Sequence, residues 1–161
     1  MDIKNYFNKI LDFAIKRIVE LFGIFIILIS LLLFIALFSY SPEDPNFIFP
    51  ENTKINNVLG IQGSFISDLF FQSFGLISFL IPFTFFFTGI NIFRNNKLLL
   101  IIENFFFTIL YSIFGSLFFS IFYSSSFWLI INGNGGFVGD FLQDSFLLSL
   151  VNINFQLSYY V

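Results

Sequence analysis

This chain of 161 residues contains no cysteine and no histidine. Without them there is no thiolate nucleophile, disulfide or imidazole base, and the usual zinc ligands are missing. Charge is nearly as scarce, with seven Lys and Arg against ten Asp and Glu, 11% charged residues and a net charge of −3. So few charges cannot cover a water-exposed surface. The basic residues outside the N-terminus are too few to displace counterions from a phosphate backbone, so direct nucleic-acid binding is excluded. What is abundant is apolar: 57% of residues are hydrophobic and 23% aromatic, and the mean hydropathy is +0.90. That composition describes a membrane protein, with the lipid bilayer as its first partner.

Four stretches read as spans: about 18–38, 69–93, 104–123 and, weakened by Asn152, Asn154 and Gln156, 145–161. Each of the first three approaches the 20 or so apolar residues needed to cross a bilayer. Runs such as Ile24 to Ile29 do not alternate polar and apolar residues, so these are helices rather than barrel strands. Residues 1–17 form a cytoplasmic arm with Ile3, Tyr6, Phe7, Ile10, Phe13 and Ala14 at helical spacing. It is either an amphipathic helix on the inner leaflet or an extension of the first span. Lys4, Lys9, Lys16 and Arg17 in the arm, with Arg94 and Lys97 in the second loop, place both inside; Lys54 is the sole basic residue of the first loop, and the third has none.

A repeat organises the chain. GIQGSFISDLFFQSF from Gly60 and GFVGDFLQDSFLLSL from Gly136 align Gly60 with Gly136, Gly63 with Gly139 and Asp68 with Asp144. Phe65, Ile66, Leu69 and Phe70 in the first copy, and Phe137, Val138, Phe141 and Leu142 in the second, suit short external amphipathic helices leading into spans. Gly60 and Gly63 allow tight turns or close backbone approach, and matched tight turns at Gly63 and Gly139 would need positive φ. Gly75, Ser78, Gly89, Ser112, Gly115 and Ser116 are candidates for close helix contacts. Pro82, set mid-span, is expected to kink or loosen the second helix. Asp68 and Asp144 form either a paired acid site or, better, helix-capping parts of the scaffold. No catalytic, cofactor-binding or metal-binding residue stands out, and no Walker A sequence occurs.

The fold class is therefore an all-α membrane protein. Four transmembrane helices form two parallel-repeat hairpins with short external helices, the fourth span being truncated. Parallel repeats also build some transporters. A small transporter or channel subunit is thus an alternative, and an unassigned structural membrane protein another. The empty span cores weaken transport.

Three blocks carry a resemblance. Ser39-Tyr40-Ser41-Pro42-Glu43-Asp44-Pro45 follows the first span; Asn57 to Gly63 leads to Ser67 to Gly75 and Pro82; Gly133 to Asp140 follows the third. Together they resemble the N-terminal four-transmembrane-helix domain of the FtsK/SpoIIIE DNA translocases. The resemblance implies a membrane anchor and oligomerisation domain in the bacterial plasma (inner) membrane at the division septum. It acts in cell division and chromosome segregation, associates with itself and meets divisome proteins. DNA, ATP and Mg would be engaged only by a motor domain missing here, so no enzyme activity is expected of this chain, which reads as a fragment or truncated reading frame.

Overall fold

A single helix, α1, runs from Ile3 to Phe38 and joins the arm to the first span without a break. No Gly or Pro precedes Gly23, so nothing in the sequence interrupts it. At 36 residues it is about 54 Å long, well beyond the roughly 30 Å of hydrocarbon. Of the two readings of the arm, the structure therefore has the extension. The structure, a computed structural model, describes residues 3–46, 54–126, 128–129 and 131–147. The fourth span, 145–161, lies almost wholly outside the described residues.

After the loop that follows α1 come α2 (Gly60–Phe74), a 3-10 turn (Gly75–Phe79) and α3 (Leu80–Asn95). Next come α4 (Leu100–Phe122), α5 (Gly136–Leu142) and a π turn (Gln143–Leu147). Among the described residues there is no strand. Among the described residues, three helical stretches are long and apolar enough to cross a membrane: Tyr6–Phe38, Gly60–Asn95 and Leu100–Phe122.

One expectation changes. The second apolar stretch is not one continuous helix, because Gly75 takes φ +69 and ends α2. Leu69 to Phe74 thus belong to the external helix, and the crossing runs from about Gly75 to Asn95. Pro82 lies in the first turn of α3 directly after the 3-10 turn, so the second helix is loosened on the N-terminal side of Pro82.

The helices pack with small residues inward. α1 and α3 cross antiparallel where a Cβ on Gly23 would lie 2.9 Å from Gly89 O, and one on Gly89 2.8 Å from Gly23 O. Further along, Phe34 meets Phe83 edge-on at 5.1 Å. α4 pairs with α3 through Thr84–Tyr111 at 3.0 Å and Asn104 Nδ2 donating to Thr88 Oγ1 at 2.8 Å. On α4, Thr108, Ser112, Ser116 and Ser120 are buried at every fourth position while Phe106, Phe114, Phe118 and Phe122 are exposed. Lipid tails are as apolar as Phe, so burying large side chains between helices gains little there. Small residues bring backbones together, and the packing is consequently inverted relative to a water-soluble bundle.

The inversion governs α2 as well. Its buried face is Gly63, Ser64, Ser67, Asp68 and Phe71, whereas Ile66 and Leu69 are exposed. α5 likewise buries Gly136 and Gly139 and exposes Phe137 and Phe141. The apolar stripes of both external helices thus turn outward.

Gly89→Ala is expected to force α1 and α3 apart, since its Cβ would meet backbone, and to cost about 2 kcal/mol. Gly115→Ala should cost less than half as much. Its Cβ meets the far end of the Ile77 side chain, 2.6 Å away, which can rotate aside. Thermal denaturation of the two variants in one detergent compares them.

Candidate functional site

The polar chemistry gathers at one end of the bundle, the end away from the N-terminus, here called the distal end. There α1 stops at Phe38 and leaves carbonyls without helical partners. Asn57 closes them: its Nδ2 donates to Ala36 O at 2.9 Å and to Ser39 O at 3.3 Å, while its Oδ1 accepts from Leu59 N at 3.0 Å. Asn57 is buried, and Gly63 makes room for it, for a Cβ on Gly63 would lie 2.1 Å from Asn57 Oδ1. Asp44, also buried, accepts from Asn56 N and Asn57 N at 2.8 Å each, fixing the segment that carries Asn57. Ser64 Oγ donates to Pro45 O at 2.6 Å and pins the same loop to α2.

A second tier joins the two repeats. Asp68 Oδ1 accepts from Tyr40 OH and from Gln72 Nε2, both at 3.3 Å. Gln72 is in turn reached by Asn132 Nδ2, at 3.2 Å from its O and 3.1 Å from its Oε1. Asn134 repeats the role of Asn57 at the end of α4: its Nδ2 donates to Tyr123 O at 2.8 Å and to Ser125 O at 2.9 Å. Its own carbonyl accepts from Leu76 N at 2.9 Å, the first bond past the break at Gly75. Leu37, Phe71 and Leu129 form the small apolar core beneath, with Tyr40 and Phe79 against Phe71 at 4.9 and 5.1 Å.

Glycine pairs set the junction. Gly60, Gly75 and Gly136 have φ of +67, +69 and +66. Gly75 and Gly136 touch, since a Cβ on Gly136 would lie 2.5 Å from Gly75 N. The positive φ thus falls on the first glycine of each repeat. Of the two roles open to them, Gly60 takes the positive-φ turn and Gly63 the close approach; Gly63 and Gly139 share no tight turn but are both helical residues at close approaches, Gly139 lying against Ser116 O and Ser120 Oγ. Gly135 and Gly139 give α5 a G-x-x-x-G face set on Ser116 and Ser120 of α4, and Ser120 Oγ donates to Asp140 Oδ1.

The two aspartates of the repeat are not equivalent. Asp68 lies within α2, buried, and caps no helix; Asp144 stands exposed in the π turn after α5. It is Asp140 that holds the second repeat to α4. Asp44, Asn57, Asn134 and Asp140 stand in the blocks that carry the resemblance, but the sequence assigned them no structural role, and Gly23 was passed over. The asparagines fall one place out of register between the repeats, which hid their shared role.

Burial, with the nearby Asp68 carboxylate, pushes the Tyr40 hydroxyl up to about 12. In the unfolded chain it ionises near 10. Between those values the unfolded state alone loses the proton, so Tyr40 makes the fold less stable as pH rises through that window. A spectrophotometric tyrosinate titration should show one group titrating near 12 that Tyr40→Phe removes, with less alkaline destabilisation in the variant.

No group of three or more His, Cys, Asp or Glu able to hold a metal occurs among the described residues. The side chains of the cap bind helix ends and loops to one another. The class these features define is a multi-pass helical membrane domain with a hydrogen-bonded distal cap. A family described as the 4TM region of DNA translocase FtsK/SpoIIIE matches residues 15–157, and the chain belongs to it. The chain is similar to the DNA translocase FtsK of Rickettsia prowazekii (strain Madrid E), 38% identical over 86 residues. The match covers 53% of this chain and 11% of that relative. The DNA translocases FtsK of Rickettsia typhi (strain ATCC VR-144 / Wilmington) and Rickettsia bellii (strain RML369-C) match to the same extent. The matched part is thus about a tenth of these relatives, and what this chain contains is the membrane region. No solved structure matches it.

Proposed function

We propose that this chain anchors a DNA translocase in the bacterial inner membrane and assembles its copies at the division septum. The observation that carries the reading is the match of residues 15–157 to the 4TM region, together with relatives named as DNA translocases. Translocation itself, with its ATP and Mg, belongs to a motor domain joined to this one, and DNA and divisome proteins are met in that setting. The basic residues support an orientation. Lys9, Lys16, Arg17, Arg94 and Lys97 all belong to the end at which Gly23 meets Phe93, and Lys54 alone to the distal end. The N-terminal end then faces the cytoplasm and the cap the periplasm. No Asp, Glu, Lys or Arg occurs between Leu21 and Phe38, Leu80 and Phe93, or Asn104 and Phe122, which favours an anchor over an ion or proton path.

Imaging the fluorescently tagged full-length gene product tests the reading. A midcell band in dividing cells is expected, and uniform envelope fluorescence would overturn septal recruitment.

A further inference from the structure

We propose that the fourth span of this chain docks on α4 through a polar pair. The face that carries Asn152 and Gln156 lies against Ser112, and one of the two amides hydrogen-bonds the Ser112 hydroxyl. Ser112 is 2% exposed, and its Oγ has no hydrogen-bond partner. It stands near the middle of α4, where a bilayer offers no water to satisfy it. Every other buried Ser or Thr hydroxyl among the described residues reaches an acceptor. Thr88 and Thr108 bond the carbonyl one turn back in their own helix, and Ser112 does not take that bond. One further side-chain atom among the described residues is buried without a partner, Asn96 Oδ1, and it lies past the end of α3.

Position selects the occupant. Ser112 comes four residues before Ser116 and lies on nearly the same strip of α4. On that strip Ser116 and Ser120 receive Gly135 and Gly139 of the second repeat. The neighbouring side meets α3 and the turn before it, through Asn104, Tyr111 and Gly115. Ser112 falls between the two, directly below α5. The π turn that follows α5 still touches α4, so a helix leaving Leu147 for the opposite leaflet descends over Ser112. Ser120 and Ser112 are eight residues apart, about 12 Å along the helix. The same descent from Leu147 ends between Asn152 and Gln156. In a helix those two share a face, four residues apart, and Asn154 turns away from it. Their amides interrupt an apolar run and need a partner in hydrocarbon as much as the Ser112 hydroxyl does. Thr108, Ser112 and Ser116 are small enough for the backbones to come within reach. The family is a four-span one, and its match runs to residue 157.

The chain has no cysteine, so paired cysteines report cleanly. Ser112→Cys would be combined in turn with Asn152→Cys, Asn154→Cys and Gln156→Cys in the full chain. Each pair would be reconstituted in vesicles of phosphatidylethanolamine and phosphatidylglycerol and mildly oxidised. At least fivefold more disulfide within one chain is expected with Asn152 or Gln156 than with Asn154. Equal yields at all three, no disulfide at any, or disulfide only between chains would overturn the docking. Stability tests the hydrogen bond separately from proximity. Ser112→Ala should lower the melting temperature in detergent by roughly 2–4 °C, because it leaves an amide unpaired. That loss should shrink in a chain that already carries Asn152→Leu or Gln156→Leu and persist with Asn154→Leu. A Ser112→Ala variant that raises the melting temperature, or whose effect adds strictly to both Asn152→Leu and Gln156→Leu, would overturn the pairing even where the disulfide forms.

Discussion

Gly75→Ala and Gly136→Ala should each cost about 4 kcal/mol, while Gly60→Ala should cost only about 1 kcal/mol. The three glycines share a positive φ of +69, +66 and +67, and Gly75, with ψ −147, stands where essentially only glycine is found. A side chain at positive φ costs of order 1–3 kcal/mol at each. They differ in what the new methyl meets. At Gly60 there is nothing within 4 Å. At Gly75 the Cβ would lie 1.9 Å from Asn134 O and 2.5 Å from Asn134 C; at Gly136 it would lie 2.5 Å from Gly75 N. Those atoms are backbone, so relief means separating the third loop from the end of α2. That separation breaks the Leu76 N to Asn134 O bond and exposes the turn to α3. Thermal unfolding of the three variants in one detergent decides the matter. If Gly75→Ala were as mild as Gly60→Ala, the contact between the repeats would be wrong. Gly60→Asn should recover part of the smaller loss, because Asn tolerates positive φ better than Ala.

The membrane class, the helical spans and the importance of the repeat were legible because each rests on a pattern that survives averaging. Long apolar runs, scarce charges and repeated glycines need no knowledge of neighbours. What could not be read was which face of each helix turns inward. Phe65, Ile66, Leu69 and Phe70 form a convincing apolar stripe, yet the buried face of α2 holds Ser64, Ser67 and Asp68. Periodicity marks a face and does not say whether water or lipid lies against it; in lipid the small, polar face packs. The break at Gly75 was hidden for a related reason. Its partner, Asn134, is remote in sequence, and an apolar run through Leu69 to Phe93 gives no sign of interruption. A glycine in a sequence signals a turn or a close approach without saying which: at Gly63 it is the close approach, and Gly139 shares it. The pairing of Asp68 with Asp144 came from alignment alone, and alignment carries no burial.

Asn57→Ala is expected to cost about 3 kcal/mol, with Asp44→Ala close behind, and the double variant to cost clearly less than the sum. Asn57 is buried, and its removal strips the Ala36 carbonyl of the donor at 2.9 Å and the Leu59 N–H of its acceptor. Each buried group left unpaired costs roughly 1–3 kcal/mol. Asp44 acts on the same segment from the other side, through Asn56 N and Asn57 N. Once Asn57 no longer holds the segment to α1, the loss of Asp44 releases something already loosened, so the two effects cannot add. Asn56→Ala supplies the control. Asn56 lends its backbone N–H to Asp44, but its exposed side chain reaches only Ser41 Oγ at 3.5 Å, so the substitution should change stability by less than 0.5 kcal/mol. A full double-variant cycle by denaturation in one detergent separates these outcomes. Strict additivity would mean that Asp44 and Asn57 hold independent structures. Residues 39–46 and 54–63 would then be separate local turns rather than one clasp over the end of the first span.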